Sequence, residues 1–118
     1  MGIRRKTSGS ITVLQVGGEF YGGEETDRLR KAILDEAASG NTRLLLDLSE
    51  CSNMNSTALS VMVEAHKNYA ARQGELKLCG LQKKMTSLVV MTRLINHFGH
   101  YPSEAEALAA FAVSPAGA

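Results

Sequence analysis

The chain has 118 residues, 44% of them hydrophobic and 21% charged, and 13 Lys+Arg set against 12 Asp+Glu leave a formal charge of +1. That length fits one domain (residues 1–118) able to bury a core of its own, and the composition excludes wholesale disorder. So even a balance lacks the basic stripe of a non-specific nucleic-acid binder, and an aromatic share of 5% with no Trp offers no base-stacking platform. Two cysteines, Cys51 and Cys79, are too few for a disulfide scaffold and lack zinc-ligand spacing. Two reduced, buried thiols in a cytoplasmic protein are the expectation, with no metal and no cofactor. No apolar run approaches the roughly 20 residues of a membrane span. Met1 to Ser10 has no signal-peptide core, so neither membrane insertion nor export by that route is expected.

Taken in chain order, Ile3 to Thr7 reads as a short edge strand whose basic run, Arg4-Arg5-Lys6, is a solvated end. A turn at Ser8-Gly9-Ser10 leads to Ile11–Val16, apolar on both faces as an interior strand is, and the two strands form a hairpin. Gly17-Gly18 and Gly22-Gly23 then break the pattern. From Glu24 to Ser39 the period becomes helical: Leu29, Ile33 and Ala37 make the inner face, Arg28, Lys31, Asp35 and Glu36 fall elsewhere, acidic Glu24, Glu25 and Asp27 suit the first turn, and Gly40 is the stop. Leu44-Leu45-Leu46 with Leu48 fits a buried parallel strand, followed by a polar loop from Ser49 to Asn55. A second helix starts near Ser56 with Leu59, Met62, Val63, His66 and Ala70 as its apolar stripe, and Gly74 ends it. Leu76 to Cys79 alternates as a strand. A third helix runs from Gln82 to about Leu94, with Met85, Leu88, Val89 and Thr92 on one side. A weak strand covers His97 to Tyr101, and a capping box at Ser103-Glu104-Ala105-Glu106 opens a last helix to about Ala112. Residues 113–118 read as a frayed tail. The order β-β-α-β-α-β-α-β-α predicts an α/β fold with a mostly parallel central sheet and helices packed on it.

Catalytic arrangements find little support. Ser56, Ser60 and Cys51 are available nucleophiles, but His66 sits on an apolar helical stripe, and His97 and His100 lack metal-binding context. There is no nucleophile-elbow pattern and no phosphate-binding glycine loop, since no Lys-Ser/Thr follows the double glycines. The acids at 24, 25 and 27 are explained by a helix first turn.

The informative segment is Asp47 to Val63, which runs strand, loop, then hydroxyl-rich helix start. Here the sequence resembles the STAS family, the anti-sigma factor antagonists. Their pattern of an apolar residue followed by Asp-Ser-Ser/Thr-Gly-Leu-Gly corresponds to Met54, Asn55, Ser56, Thr57, Ala58, Leu59 and Ser60. The order continues elsewhere: Gly18-Glu19 after the second strand, Leu48 after the third, Leu78-Cys79-Gly80-Leu81 in the fourth, then Tyr101-Pro102-Ser103 and Glu106-Ala107-Leu108. The likeness covers roughly residues 3–112.

The resemblance implies a non-enzymatic, cytoplasmic binding module of a bacterial partner-switching pathway that regulates transcription. It implies Ser56 as the residue phosphorylated by an anti-sigma factor kinase, with Thr57 as a second candidate. It also implies a partner surface of Asn53, Asn55, Ser56, Thr57, Ala58 and Ser60, bound when dephosphorylated and released on phosphorylation. A phosphatase is a possible further partner, and a homodimer could form through the edge strand at Ile3–Thr7. A helix N-terminus suits a phosphate, while its added charge is costly in an interface facing apolar or acidic surface. Asn55 stands where the family has Asp, and Ala58 and Ser60 stand where it has Gly. Set beside this, Asn55 or Ser56 is simply the cap of the second helix. Two rival functions stay open: a constitutive STAS scaffold on a transporter ATPase or signalling assembly, and a small nucleotide-binding or enzymatic domain.

Overall fold

In a computed structural model, which describes residues 2–91 and 99–113, strands and helices alternate in the predicted order. The elements are β1 (Gly2–Ser8), β2 (Ile11–Phe20), α1 (Glu24–Ala38), β3 (Arg43–Met54), α2 (Ser56–Ala71), β4 (Glu75–Cys79), α3 (Lys83–Met91), β5 (Gly99–Tyr101) and α4 (Glu104–Val113). The sheet has the order β1-β2-β3-β4-β5; β1 and β2 are antiparallel and every later pair is parallel. The α/β class expected from the sequence is the class observed. The expected extension of the third helix past Met91, with Thr92, the start of the fifth strand at His97, and the end of the tail (114–118) lie outside the described residues.

Strand alternation splits the core into two layers. Leu14 and Val16 of β2, Leu44, Leu46 and Leu48 of β3, and Leu76 and Leu78 of β4 meet the inner faces of α1, α2 and α3. Ile11, Val13, Leu45 and Cys79 point the other way, where Ala107 and Phe111 of α4 cover them. The run Leu44-Leu45-Leu46 is fully buried because β3 is the central strand and has a helix layer on each side. Each such leucine contributes about 2 kcal/mol by leaving water.

Four expectations need correction. The stretch read as a polar loop is the second half of β3, and Gly17-Gly18 do not break β2, which continues to Phe20. Between Asp47 and Glu50, and again between Cys51 and Asn53, β3 advances one residue more than β2 does. Each extra residue is a bulge that turns the following side chains to the other face. Leu48, Cys51 and Met54, three apart, therefore all reach the same core. Spacing of three is no strand period, so the pattern disguised the strand.

On α2 the buried stripe is Ala58, Leu59, Val61, Met62, Ala65 and Tyr69; Val63 and His66 are half-buried and Ala70 is exposed. Tyr69, the bulkiest apolar side chain of the helix, sets this rotation. Glu36, expected on the polar side of α1, is buried, with Oε2 accepting from Arg5 Nε at 2.6 Å and Oε1 from Asn41 Nδ2 at 2.6 Å. The basic run on β1 is exposed along its length, as expected, and is ion-paired as well. Arg5 reaches α1, and Lys6 pairs with Glu104 of α4 at 2.9 Å.

Phe111 is the large side chain by which α4 seals its face of the sheet. Phe111→Ala is expected to cost about 3–4 kcal/mol, seen as a lower urea midpoint at unchanged slope. Both cysteines are buried. Burial pushes the Cys51 thiol up to about 11; burial, then Asp47 and Glu104, push the Cys79 thiol up to about 12. Ordinary thiols titrate near 9, so below that pH folded and unfolded chains hold the same protons. Above it the unfolded chain releases them first, and stability should fall as pH rises from about 9 towards 12. Urea midpoints measured at pH 8 and pH 10.5 test this, and Cys51→Ala/Cys79→Ala should flatten the difference.

Candidate functional site

The start of α2 is built by the residue before it. Met54 is buried at the end of β3 and fixes the strand; Asn55 then turns the chain in an extended conformation (φ −91°, ψ −178°). Its Oδ1 accepts from the Ala58 amide at 3.0 Å, and its carbonyl accepts the first helical bond from Leu59 N–H at 2.9 Å. Of the two cap candidates, Asn55 is therefore the cap. Ser56 is left as the first helical residue, and its side chain is exposed.

Against this helix start lies the β2–α1 turn. Gly22 has φ +93°, a conformation glycine tolerates best, and a Cβ there would lie 3.3 Å from Cβ and Cγ2 of Thr57. The turn is tied from both sides. Asn55 donates from Nδ2 to the Tyr21 carbonyl at 2.7 Å, and its backbone N–H donates to the Phe20 carbonyl at 2.9 Å. From α1, Glu25 Oε1 accepts from the N–H groups of Gly23 (2.9 Å) and Tyr21 (3.1 Å), and Thr26 Oγ1 accepts from the Gly22 N–H at 2.9 Å. These backbone donors hold the Glu25 carboxyl below its usual range. The Tyr21 hydroxyl donates to Glu19 and accepts from Asn53 Nδ2 at 3.1 Å. The carboxylate of Glu19 keeps the phenol above its ordinary value.

Five of the six residues expected at a partner surface do gather here with surface to offer. Ser56, Thr57 and Ser60 are exposed, and Asn53 and Asn55 are half-buried. Ser60 donates its hydroxyl to the Ser56 carbonyl at 2.9 Å. Ala58 is the exception. It is fully buried, so it is a packing residue under the helix start and presents nothing to a partner. Tyr21 was missed by sequence reading. The double glycines around it mark a turn, but nothing in the sequence says that this turn meets the helix start 35 residues on.

The candidates for catalysis are not assembled. Cys51 is buried, and its thiol faces the Asn53 carbonyl at 3.9 Å. His66 is ten residues beyond Ser56 on α2, about 15 Å along the axis. His100 is on β5, two strands away from β3, and His97 lies outside the described residues. Among the described residues no group of three or more His, Cys, Asp or Glu is placed to hold a metal, and no helix is long and apolar enough to cross a membrane. Two cavities of about 600 Å³ lie along β1 and β2, and neither is lined by Ser56 or Thr57.

Comparison with known proteins bears on the fold. An anti-sigma factor antagonist from Mycobacterium paratuberculosis superposes with a TM-score of 0.81 at 22% identity, over 92% of this chain and 91% of that one. The Bacillus cell fate determinant SpoIIAA in its phosphorylated form gives 0.71 at 16% identity, over 91% and 96%. A sulfate transporter family protein from Wolinella succinogenes gives 0.78 at 18% identity, over 92% and 89%. At such identities the likeness is one of fold. None of the curated proteins compared with the chain matches it. Residues 3–107, strands and helix start included, match the sequence model of the STAS domain, and the chain belongs to that family.

Proposed function

We propose that this STAS domain is an anti-sigma factor antagonist of a partner-switching pathway, binding an anti-sigma factor kinase through the start of α2 and released when Ser56 is phosphorylated. The observation that carries the proposal is the division of labour at residues 55 and 56. Asn55 takes the whole capping role, so the Ser56 hydroxyl is exposed and free for transfer at a helix N-terminus. Phosphorylation there leaves the fold intact, because first-turn N–H groups and the helix dipole stabilise an anion. It acts instead on the complex. A kinase surface opposite an acceptor hydroxyl carries the nucleotide's own phosphates, and a second phosphate added there is repelled. Thr57 is the weaker acceptor, since its side chain faces Gly22.

Asn55 supports the same reading despite standing where the family has Asp. Its oxygen caps Ala58 as a carboxylate would, and its amide adds a donor to the Tyr21 carbonyl that a carboxylate lacks. The neutral side chain thus trades a charge beside Ser56 for a fixed β2–α1 turn. The rival reading, a constitutive scaffold within a transporter or signalling assembly, draws on the fold shared with the sulfate transporter family protein.

The switch is tested by titrating the protein against the anti-sigma factor kinases of its own genome. Ser56→Asp should weaken binding at least tenfold and Ser56→Ala should keep it, and a phosphopeptide covering Ser56 should appear with ATP. Equal binding by both variants, indifferent to ATP, would favour the scaffold. Asn55→Asp should keep the cap and cost under 1 kcal/mol of stability, whereas Asn55→Ala should cost about 1 kcal/mol through the lost cap. Thermal unfolding of the pair separates them. Amide exchange at Tyr21–Gly23 should rise in both, because both lose the donor to the Tyr21 carbonyl.

A further inference from the structure

Tyr21 stands beside the helix start without belonging to it. The residue is 51% exposed, in company with only Leu34, Val90 and Met91 among large apolar residues of the described part of the chain. Exposed aromatics usually sample several rotamers, and ordering them on binding weakens a complex. This one is already ordered. The hydroxyl is held between Glu19 of β2 and Asn53 of β3, the N–H by Glu25 of α1, and the carbonyl by Asn55 at the cap of α2. The side chain is thus held from β2 and β3 and the backbone from α1 and the cap of α2, in a residue that still shows half its surface. Rigid, exposed Tyr side chains are the type that carries binding energy at interfaces.

The surroundings say what it would meet. Four carboxylates lie around it, and two of them, Glu24 and Asp27, pair with Arg28 and Arg30 of α1 (3.8 and 3.7 Å). Glu19 and Glu25, the two that contact Tyr21 itself, accept from neutral O–H and N–H donors and keep their charge. A negative ring face among carboxylates selects a cation, and the flat guanidinium of arginine both stacks on the ring and reaches the acids. We infer that Tyr21 is the aromatic anchor of the partner interface and that its ring receives an arginine side chain of the partner. The inference rests on the proposed partner binding and adds a residue and a chemistry to it. It also divides the surface in two: Ser56 faces the nucleotide phosphates, and Tyr21 meets protein.

Calorimetric titration of an anti-sigma factor kinase against four variants tests the anchor. Tyr21→Ala should weaken binding about tenfold or more and Tyr21→Lys further still. Tyr21→Phe, which keeps the ring but frees it from Glu19 and Asn53, should weaken it a few-fold. Leu34→Ala, exposed on α1, should leave binding unchanged. All four should unfold within a few degrees of the parent, since the backbone ties of the turn remain. If Tyr21→Ala binds within twofold of the parent while Ser56→Asp does not bind, the anchor is overturned and the switch stands. If Tyr21→Lys binds no worse than Tyr21→Ala, the arginine is overturned. If the unsubstituted chain binds no such kinase, the switch and the anchor fall together.

Discussion

The whole domain hangs on a strand that must be apolar on both faces. β3 is central in the sheet, with three helices over one side and α4 over the other, so Leu44, Leu45, Leu46 and Leu48 have no contact with water. A strand buried so completely cannot carry polar function along that half. Polar side chains become available only where it leaves the layers, and there its second half is Ser49 to Met54. The two bulges reconcile these demands. They let Cys51 and Met54 stay in the core while Ser52 and Asn53 between them reach towards the rim. The place where α2 begins is thus set by core packing, and the exposed hydroxyl is a consequence of where Met54 is anchored.

The β1 edge shows the same economy. Its three basic residues each pair with a different element: Arg4 with Glu50 of β3, Arg5 with Glu36 of α1, and Lys6 with Glu104 of α4. The first pair, at 3.8 Å between two exposed side chains, adds little. The second is different, because Glu36 is buried and would be left with only Asn41 if Arg5 were removed. An edge strand with almost no buried side chains is held to the domain by ion pairs and its ladder to β2.

Much of this was legible in the sequence, and what was not has particular causes. Alternation and helical period give the element order, and the inner face of α1 reads directly from Leu29, Ile33 and Ala37. The second half of β3 was hidden because bulges replace a period of two by one of three. Glu36 was hidden because a buried carboxylate depends on a partner 31 residues earlier. The family pattern from Met54 to Ser60 marks a candidate site, and in the structure Ala58 turns inward while Tyr21 enters from another loop. Both depend on how two turns meet, which no local pattern encodes.

Asn55 is where these threads join. An aspartate at the cap would bring a negative charge next to Ser56 and would have no proton for the Tyr21 carbonyl. With asparagine, the first turn of α2 would face a phosphate with its dipole uncompensated, so the domain itself would tolerate the anion better than beside a carboxylate. The nearby acids flank the β2–α1 turn instead, Glu19 at the end of β2 and Glu24, Glu25 and Asp27 in the first turn of α1. In a chain of formal charge +1, one phosphate of about −1.5 to −2 charge would reverse the net sign at a single helix end. The amide donor to Tyr21 ties that end to the β2–α1 turn, so in the proposed switch the added charge, and not a rearrangement, would be the variable.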